Sequence, residues 1–140
     1  MRLQESPGFL ISKLSHRMSV ELDKALKKYG VTISQWAILN LLWQKEGMSQ
    51  VEMQQILGLE GATITGLLQR MESGGFVRRS PDPDDRRIQR IYLTDLGRSM
   101  EIPLCNEAQK VNEKALQDFS PDERNFFMRL LLRSLDNFTY

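Results

Sequence analysis

The sequence predicts a mainly α-helical fold with one small β-hairpin, and three observations carry that expectation. Apolar residues recur at helical spacing over most of the chain, as in Leu10, Leu14, Met18, Leu22 and Leu26. From Phe76 to Leu93 the period falls to two, on either side of a charged, proline-containing turn. Serine or threonine stands before several of the helical runs, where its hydroxyl can cap a helix N-terminus.

Taken in order, the first helix carries the Leu10 to Leu26 stripe and ends near Tyr29-Gly30, where glycine permits a left-handed turn. Thr32 or Ser34 caps a second helix running to about Lys45, with Trp36, Leu39, Leu42 and Trp43 on its buried face. Ser49 and Glu52 have the spacing of a capping box, opening a short helix that reaches Leu57 and turns at Gly58. A further helix runs from about Gly61 to Ser73, with Ile64, Leu67, Leu68 and Met71 inward, and Gly74-Gly75 stops it. Phe76 to Ser80 and Ile88 to Leu93 are the expected strands. In the second, Gln89, Ile91 and Leu93 share one face while Ile88, Arg90 and Tyr92 share the other. Thr94 caps the next helix, which Pro103 should kink or delay. Ser120-Pro121-Asp122-Glu123 is a second capping box, opening a strongly apolar last helix.

Composition narrows the function. With 140 residues and 41% hydrophobic content, the chain can bury the core of one domain. No apolar run approaches the roughly 20 residues of a membrane helix, so no membrane association is expected. Met1 to Leu10 lacks the apolar stretch of a signal peptide, and a cytoplasmic location is expected. One cysteine (Cys105) and one histidine (His16) make neither an internal disulfide nor a zinc site, and no metal or cofactor is expected. Nothing resembles a nucleophile triad, a carboxylate pair in a cleft or a phosphate-binding glycine loop, so an enzyme is not expected.

The net charge of +1 does not by itself indicate nucleic acid. Residues 47–98 hold seven basic and seven acidic side chains, and all seven basic ones are arginine. Arginine offers a planar fork for phosphates and base edges that lysine lacks.

Helix, helix, capped short helix, glycine turn, helix and hairpin is the order of a winged helix-turn-helix. In that motif a short helix braces a second one so that it can enter the DNA major groove, about 12 Å wide. Met53, Leu57, Ile64 and Leu67 face inward, which leaves Gly61, Ala62, Thr63, Thr65 and Gly66 outward, with Gln69 and Arg70 one turn later. Small residues permit close approach, and threonine and glutamine can contact base edges. Taken alone, the segment reads equally well as an ordinary surface helix pair. At the hairpin tip Arg86 and Arg87 follow Asp85, and a carboxylate two residues before an arginine can hold its guanidinium in one pose. An arginine so placed suits the narrow minor groove, whereas the same charges in isolation would be a solvated turn.

Residues 49–97 resemble the MarR family of transcription regulators from end to end. The resemblance rests on Ser49-Gln50, Leu57-Gly58-Leu59, Ala62-Thr63-Ile64-Thr65, and the run Met71 to Arg79 (MESGGFVRR). It continues through Asp85-Arg86-Arg87 to Leu93-Thr94-Asp95-Leu96-Gly97, and the flanking helices match in length and order. The resemblance implies one domain over residues 1–140, with 1–30 and 99–140 as dimerisation helices and 31–98 as the DNA-binding lobe. It implies a homodimer on a pseudo-palindromic site in double-stranded DNA, with Asp85 and Arg87 as the wing-tip pair, Arg79 on phosphate, and Ser49 and Gln50 at the helix start among the DNA-binding residues. Two residues depart from the family's pattern. Gln54 replaces the usual alanine between the two motif helices, and Gly66 replaces an arginine found in many members.

Leu10, Leu14, Phe126, Phe127, Leu130, Leu131, Leu135 and Phe138 are the candidate dimerisation residues. The last helix has more apolar surface than one supporting face needs, although an internal core helix would read similarly. By resemblance, a small aromatic or phenolic effector would sit between the dimerisation helices and the lobe and release the DNA, with His16, Arg17, Trp36 and Asn40 as candidate lining. Thiol sensors of the family carry their cysteine in the first helix; Leu10 to Leu26 contains none, and Cys105 reads as a small apolar filler. A protein that binds other proteins through the same fold is the alternative, but it would favour an apolar or acidic second motif helix. Repression is the expected direction.

Overall fold

The computed structural model describes residues 1–138, a helical chain around a three-stranded antiparallel sheet. After a 3-10 turn at Leu3–Glu5, the elements are α1 (Pro7–Lys27), α2 (Ile33–Gln44), β1 (Met48–Ser49), α3 (Gln50–Leu57) and α4 (Gly61–Ser73). They continue with β2 (Val77–Pro81), β3 (Gln89–Leu93), α5 (Asp95–Ser99), α6 (Glu101–Ala115) and α7 (Pro121–Asp136).

The helices end where their side chains dictate. Thr32 caps α2 by accepting from the Gln35 N–H at 3.2 Å, and the Gln35 amide oxygen accepts the Thr32 N–H at 3.1 Å. Gly58 closes α3 in the left-handed region at φ +66°, a conformation that costs a residue with a Cβ far more than glycine. Ser49 caps α3 through the Glu52 N–H at 3.1 Å, but the box expected there is only half formed. The Glu52 carboxylate instead lies 3.6 Å from Lys45 Nζ, where a cation competes with the N-cap amide for it. Ser120 and Glu123 form the complete reciprocal box at the start of α7. Pro103 does not kink a helix. It occupies the first turn of α6, after a break at Met100 that separates α5 from α6.

Core and sheet form one unit. Leu26 of α1, Ile38, Leu39 and Leu42 of α2, Met53 of α3, Ile64, Leu68 and Met71 of α4, Ile91 of β3 and Leu104 of α6 lie in a single buried cluster. Burying such a side chain contributes about 1.5–3 kcal/mol, so this cluster dominates the stability of the lobe. Each strand of the hairpin begins one residue later than the sequence pattern suggested. Val77 pairs with Leu93 and Pro81 with Gln89, and Ile91 and Leu93 face the core as expected. β1 has no counterpart in the sequence pattern: its two residues pair with Ile91 and Arg90 and so place β3 in the middle of the sheet.

The α1 stripe changes character along its length. Leu26 is buried and Leu22 packs on the core, whereas Leu10 and Leu14 are exposed. No residue of α7 is buried. It is fastened to the end of α6 by the Arg124–Glu113 ion pair at 2.8 Å, and to the connection before it by an edge-to-face contact of Phe127 with Phe119.

Candidate nucleic-acid interface

The residues singled out on the second motif helix lie on its outer face, because Ile64, Leu67, Leu68 and Met71 turn the other face into the core. Ala62, Thr63, Gln69 and Arg70 are exposed, and Gly61, Thr65 and Gly66 are partly covered. Two contacts explain the covering. A Cβ at Gly61 would stand 3.4 Å from Gln54 Nε2, so the unusual glutamine of α3 lies against the start of α4. A Cβ at Gly66 would stand 3.5 Å from an Arg70 guanidinium nitrogen, so Arg70 reaches back along the helix over the vacant position.

The start of α3 is less open. Ser49 is buried, its hydroxyl occupied by the cap, which withdraws this side chain from the exposed face. Gln50 is half-buried and donates from Nε2 to Thr65 Oγ1 at 2.7 Å, tying the two motif helices together. Arg79 on β2 pairs with Glu72 of α4 at 3.2 Å. The Glu72 carboxylate also accepts the Arg79 N–H at 3.2 Å, and these bonds, the backbone one first, hold its pKa below the usual value.

The wing is held by carboxylates. Asp85 Oδ1 accepts the Arg87 N–H at 3.1 Å and Nε–H at 3.0 Å, and Oδ2 accepts from Nη2 at 2.9 Å. The Arg87 side chain is nevertheless 90% exposed, as is required of a group that presents charge to a partner. The Arg87 contacts, side chain before backbone, hold the Asp85 carboxyl below the ordinary aspartate range. Arg86 beside it is exposed. Deeper in the loop, Asp82 is 8% exposed and pairs with Arg90 of β3.

Several fastenings here had no local sequence signal. Glu46 accepts from the Leu93 N–H at 2.9 Å and from Arg98 Nη2 at 2.8 Å, joining α5 and β3 to the end of α2. Trp43 Nε1 donates to the Gly97 carbonyl at 2.9 Å. Residue pairs about 50 positions apart leave no spacing pattern to read.

A second feature is an apolar groove of about 640 Å³ between α1, α6 and α7. Leu14, Met18, Trp36, Val111, Phe127 and Leu131 are among its walls. Of the candidate effector residues, Trp36 lines it, and among the described residues its buried indole Nε1 has no acceptor. His16 and Arg17 are exposed on α1, and Asn40 accepts from Gln44 Nε2 at 2.7 Å, so these three are not brought to the groove wall. Cys105 is half-buried on α6, where burial and then the nearby Glu101 charge push its thiol pKa up, which disfavours the reactive thiolate.

Comparison with known proteins agrees with this fold. The family model described as MarR family matches residues 31–89. The chain is 36% identical over 93 residues to the HTH-type transcriptional regulator TtmR of Methylorubrum extorquens, an alignment covering 66% of this chain and 48% of TtmR. The chain thus spans about half the length of that relative. It is 32% identical over 141 residues to the transcriptional activatory protein BadR of Rhodopseudomonas palustris, covering 98% of this chain and 81% of BadR. Its structure is similar to that of CouR from Rhodococcus jostii RHA1 bound to p-coumaroyl-CoA, with a TM-score of 0.86 and 25% identity over 100% of this chain and 98% of that one.

Proposed function

The chain belongs to the MarR family of transcription regulators, and on that premise we propose that it binds a pseudo-palindromic operator as a homodimer, represses transcription, and is released by a small aromatic effector. The observation that carries this reading is the wing. An arginine side chain fixed by Asp85 and 90% exposed stands on the same lobe as an α4 face bearing Thr63, Gln69 and Arg70. In the proposed complex α4 enters the major groove and Arg87 the adjacent minor groove, whose narrow floor concentrates negative potential. Thr63, Thr65, Gln69 and Arg70 face base edges and phosphates, Arg86 the sugar–phosphate rim, and Arg79 a backbone phosphate. Gly61, Ala62 and Gly66 let the helix approach closely, while Gln50 and Ser49 fix its brace.

Residues 31–98 form the DNA-binding lobe in this reading, and 1–30 with 99–140 the dimerisation helices. The apolar side chains left open at Leu10, Leu14, Phe126, Leu130, Leu135 and Phe138 support this division. The effector reading is supported by the groove between those helices and by the Trp36 indole donor, which is buried with no acceptor among the described residues and so favours a ligand carrying one. The ligand named with CouR, p-coumaroyl-CoA, contains an aromatic acyl group of the kind proposed. Repression is proposed although BadR is named as activatory, because the direction depends on where the operator lies relative to the promoter. A cytoplasmic location and the lack of an enzymatic activity complete the reading. Among the described residues no helix is long and apolar enough to cross a membrane.

Binding of the purified protein to fragments of its own upstream region, titrated with salt, tests the proposal. Tight, salt-sensitive binding is expected. Arg87→Ala should weaken it by about 10- to 100-fold while the dimer persists. An intact dimer whose operator affinity ignores that substitution would remove Arg87 from the interface.

A further inference from the structure

The wing loop is fastened at its base by a group that the proposed DNA contacts do not use. Asp82 is the first residue after β2 and as a residue only 8% exposed, an unusual position for a charge in a surface loop. Its Oδ1 accepts the N–H groups of Asp84 at 2.8 Å and Asp85 at 3.1 Å, while its own N–H donates to the Ile88 carbonyl at 2.8 Å. Its Oδ2 accepts from Arg90 Nε, and Arg90 Nη1 donates to the Gly47 carbonyl at 3.0 Å. Gly47 directly precedes β1 and the Ser49 cap of α3. One guanidinium therefore joins the base of the wing to the segment that opens the helix-turn-helix.

The consequence runs through Asp85. The backbone N–H of Asp85 is held by Asp82, and the carboxylate of Asp85 holds Arg87. The chain of contacts is Gly47, Arg90, Asp82, Asp85, Arg87, with a charged group at each step after the first. We infer that Asp82 and Arg90 are positioning residues for the wing, fixing where Arg87 stands relative to α4 without touching DNA themselves. Without them Arg87 keeps its charge and its Asp85 partner but loses a defined place, and ordering it on binding then costs conformational entropy. The Asp82–Arg90 pair is separated by eight residues and sits on opposite sides of the loop, so it restrains the loop against swinging about the hairpin axis.

This inference rests on the DNA-binding reading, so its test has two stages. Duplexes enriched by the wild-type protein from a random-sequence pool serve as the probe, and the affinity for them is measured for Arg90→Gln, Arg87→Ala and the double variant. Arg90→Gln is expected to weaken binding by about tenfold in the wild-type background and by less than about twofold beside Arg87→Ala, the non-additivity of groups acting in series. Asp82→Asn, which keeps the size of the side chain, should show the same pattern, and Arg90→Lys should recover part of the loss. Losses that simply multiply, or an unchanged affinity for Arg90→Gln and Asp82→Asn in folded dimers, would overturn the positioning role and leave DNA binding standing. Failure of the wild-type protein to enrich any duplex would overturn the DNA-binding reading, and the positioning role with it.

Discussion

At Gly97 the first turn of α5 runs so close to the residue that precedes β2 that an added Cβ would lie 2.3 Å from the Phe76 carbonyl oxygen and 3.1 Å from a Leu93 methyl. The Gly97 carbonyl in turn receives the Trp43 indole. This glycine is thus the point at which α2, β3 and α5 meet, and nothing flexible stands there to give way. Gly97→Ala should destabilise the protein by about 1–3 kcal/mol, the cost of overpacking, read as a lower urea midpoint at unchanged slope. An unshifted midpoint would mean that the backbone can move aside. The wing carboxylates carry the second prediction at this scale. The Asp82 pKa lies below its ordinary value, chiefly through the Arg90 side chain and then the Asp84 N–H, and that of Asp85 through Arg87. A carboxylate depressed in the folded state stabilises it above the unfolded pKa of about 3.9 and loses that contribution as pH falls through the folded value. Amide exchange of Asp84 and Asp85 should therefore be as protected at pH 5 as at pH 8, after correction for intrinsic rates, with protection lost only below the ordinary aspartate range. Loss of protection between pH 8 and 5 would contradict the pairing.

Among the elements, the helix starts were the most legible, because a cap is a matter of residue type at a fixed offset. Thr32, Ser49, Thr94 and Ser120 all cap as their positions suggest. What the offset cannot decide is whether the third residue reaches back. At Ser120 the Glu123 carboxylate accepts the N-cap N–H at 2.8 Å, and these bonds to Ser120 hold its pKa low, whereas at Ser49 the corresponding Glu52 turns toward Lys45. The competing cation is Lys45, the residue that ends α2, seven positions before Glu52 and outside the three-residue capping offset. β1 was illegible for a related reason: two residues carry no periodicity, and Met48–Ser49 is a strand only because the free edge of β3 accepts it. Ser120→Ala should cost about 1 kcal/mol, since it removes the acceptor for the Glu123 N–H and leaves the reciprocal bond alone. Ser120→Asp, which restores an acceptor, should recover most of that stability in the same unfolding experiment. If both variants match the wild type, α7 starts without help from its cap.

Over the whole molecule, the order of elements and the inward faces were readable because burial imposes a period on the sequence. The fastenings of the site were not, since Arg90 with Gly47, Trp43 with Gly97 and Glu46 with Arg98 join residues 43 to 54 positions apart. The same distinction bears on assembly. The exposed Leu10 and Leu14 of α1 and the exposed Phe126 and Leu130 of α7 repeat at helical spacing, yet nothing among the described residues buries them. Most helices draw their stability from packing of an apolar face, and α7 has no buried residue, which supports the proposed contacts from a second chain. A second copy supplies such contacts in the proposed homodimer, joining the two lobes so that both recognition helices reach one face of the DNA. Leu130→Glu places a charge in that contact and should shift the protein from dimer to monomer in sedimentation velocity, at a concentration where the wild type sediments as a dimer. The buried cluster from α2 to β3 lies elsewhere, so the lobe should keep its helical circular dichroism while operator binding falls. A wild type that sediments as a monomer with α7 helical would remove the dimer from the proposal. A variant that remains dimeric would place the interface on some other face.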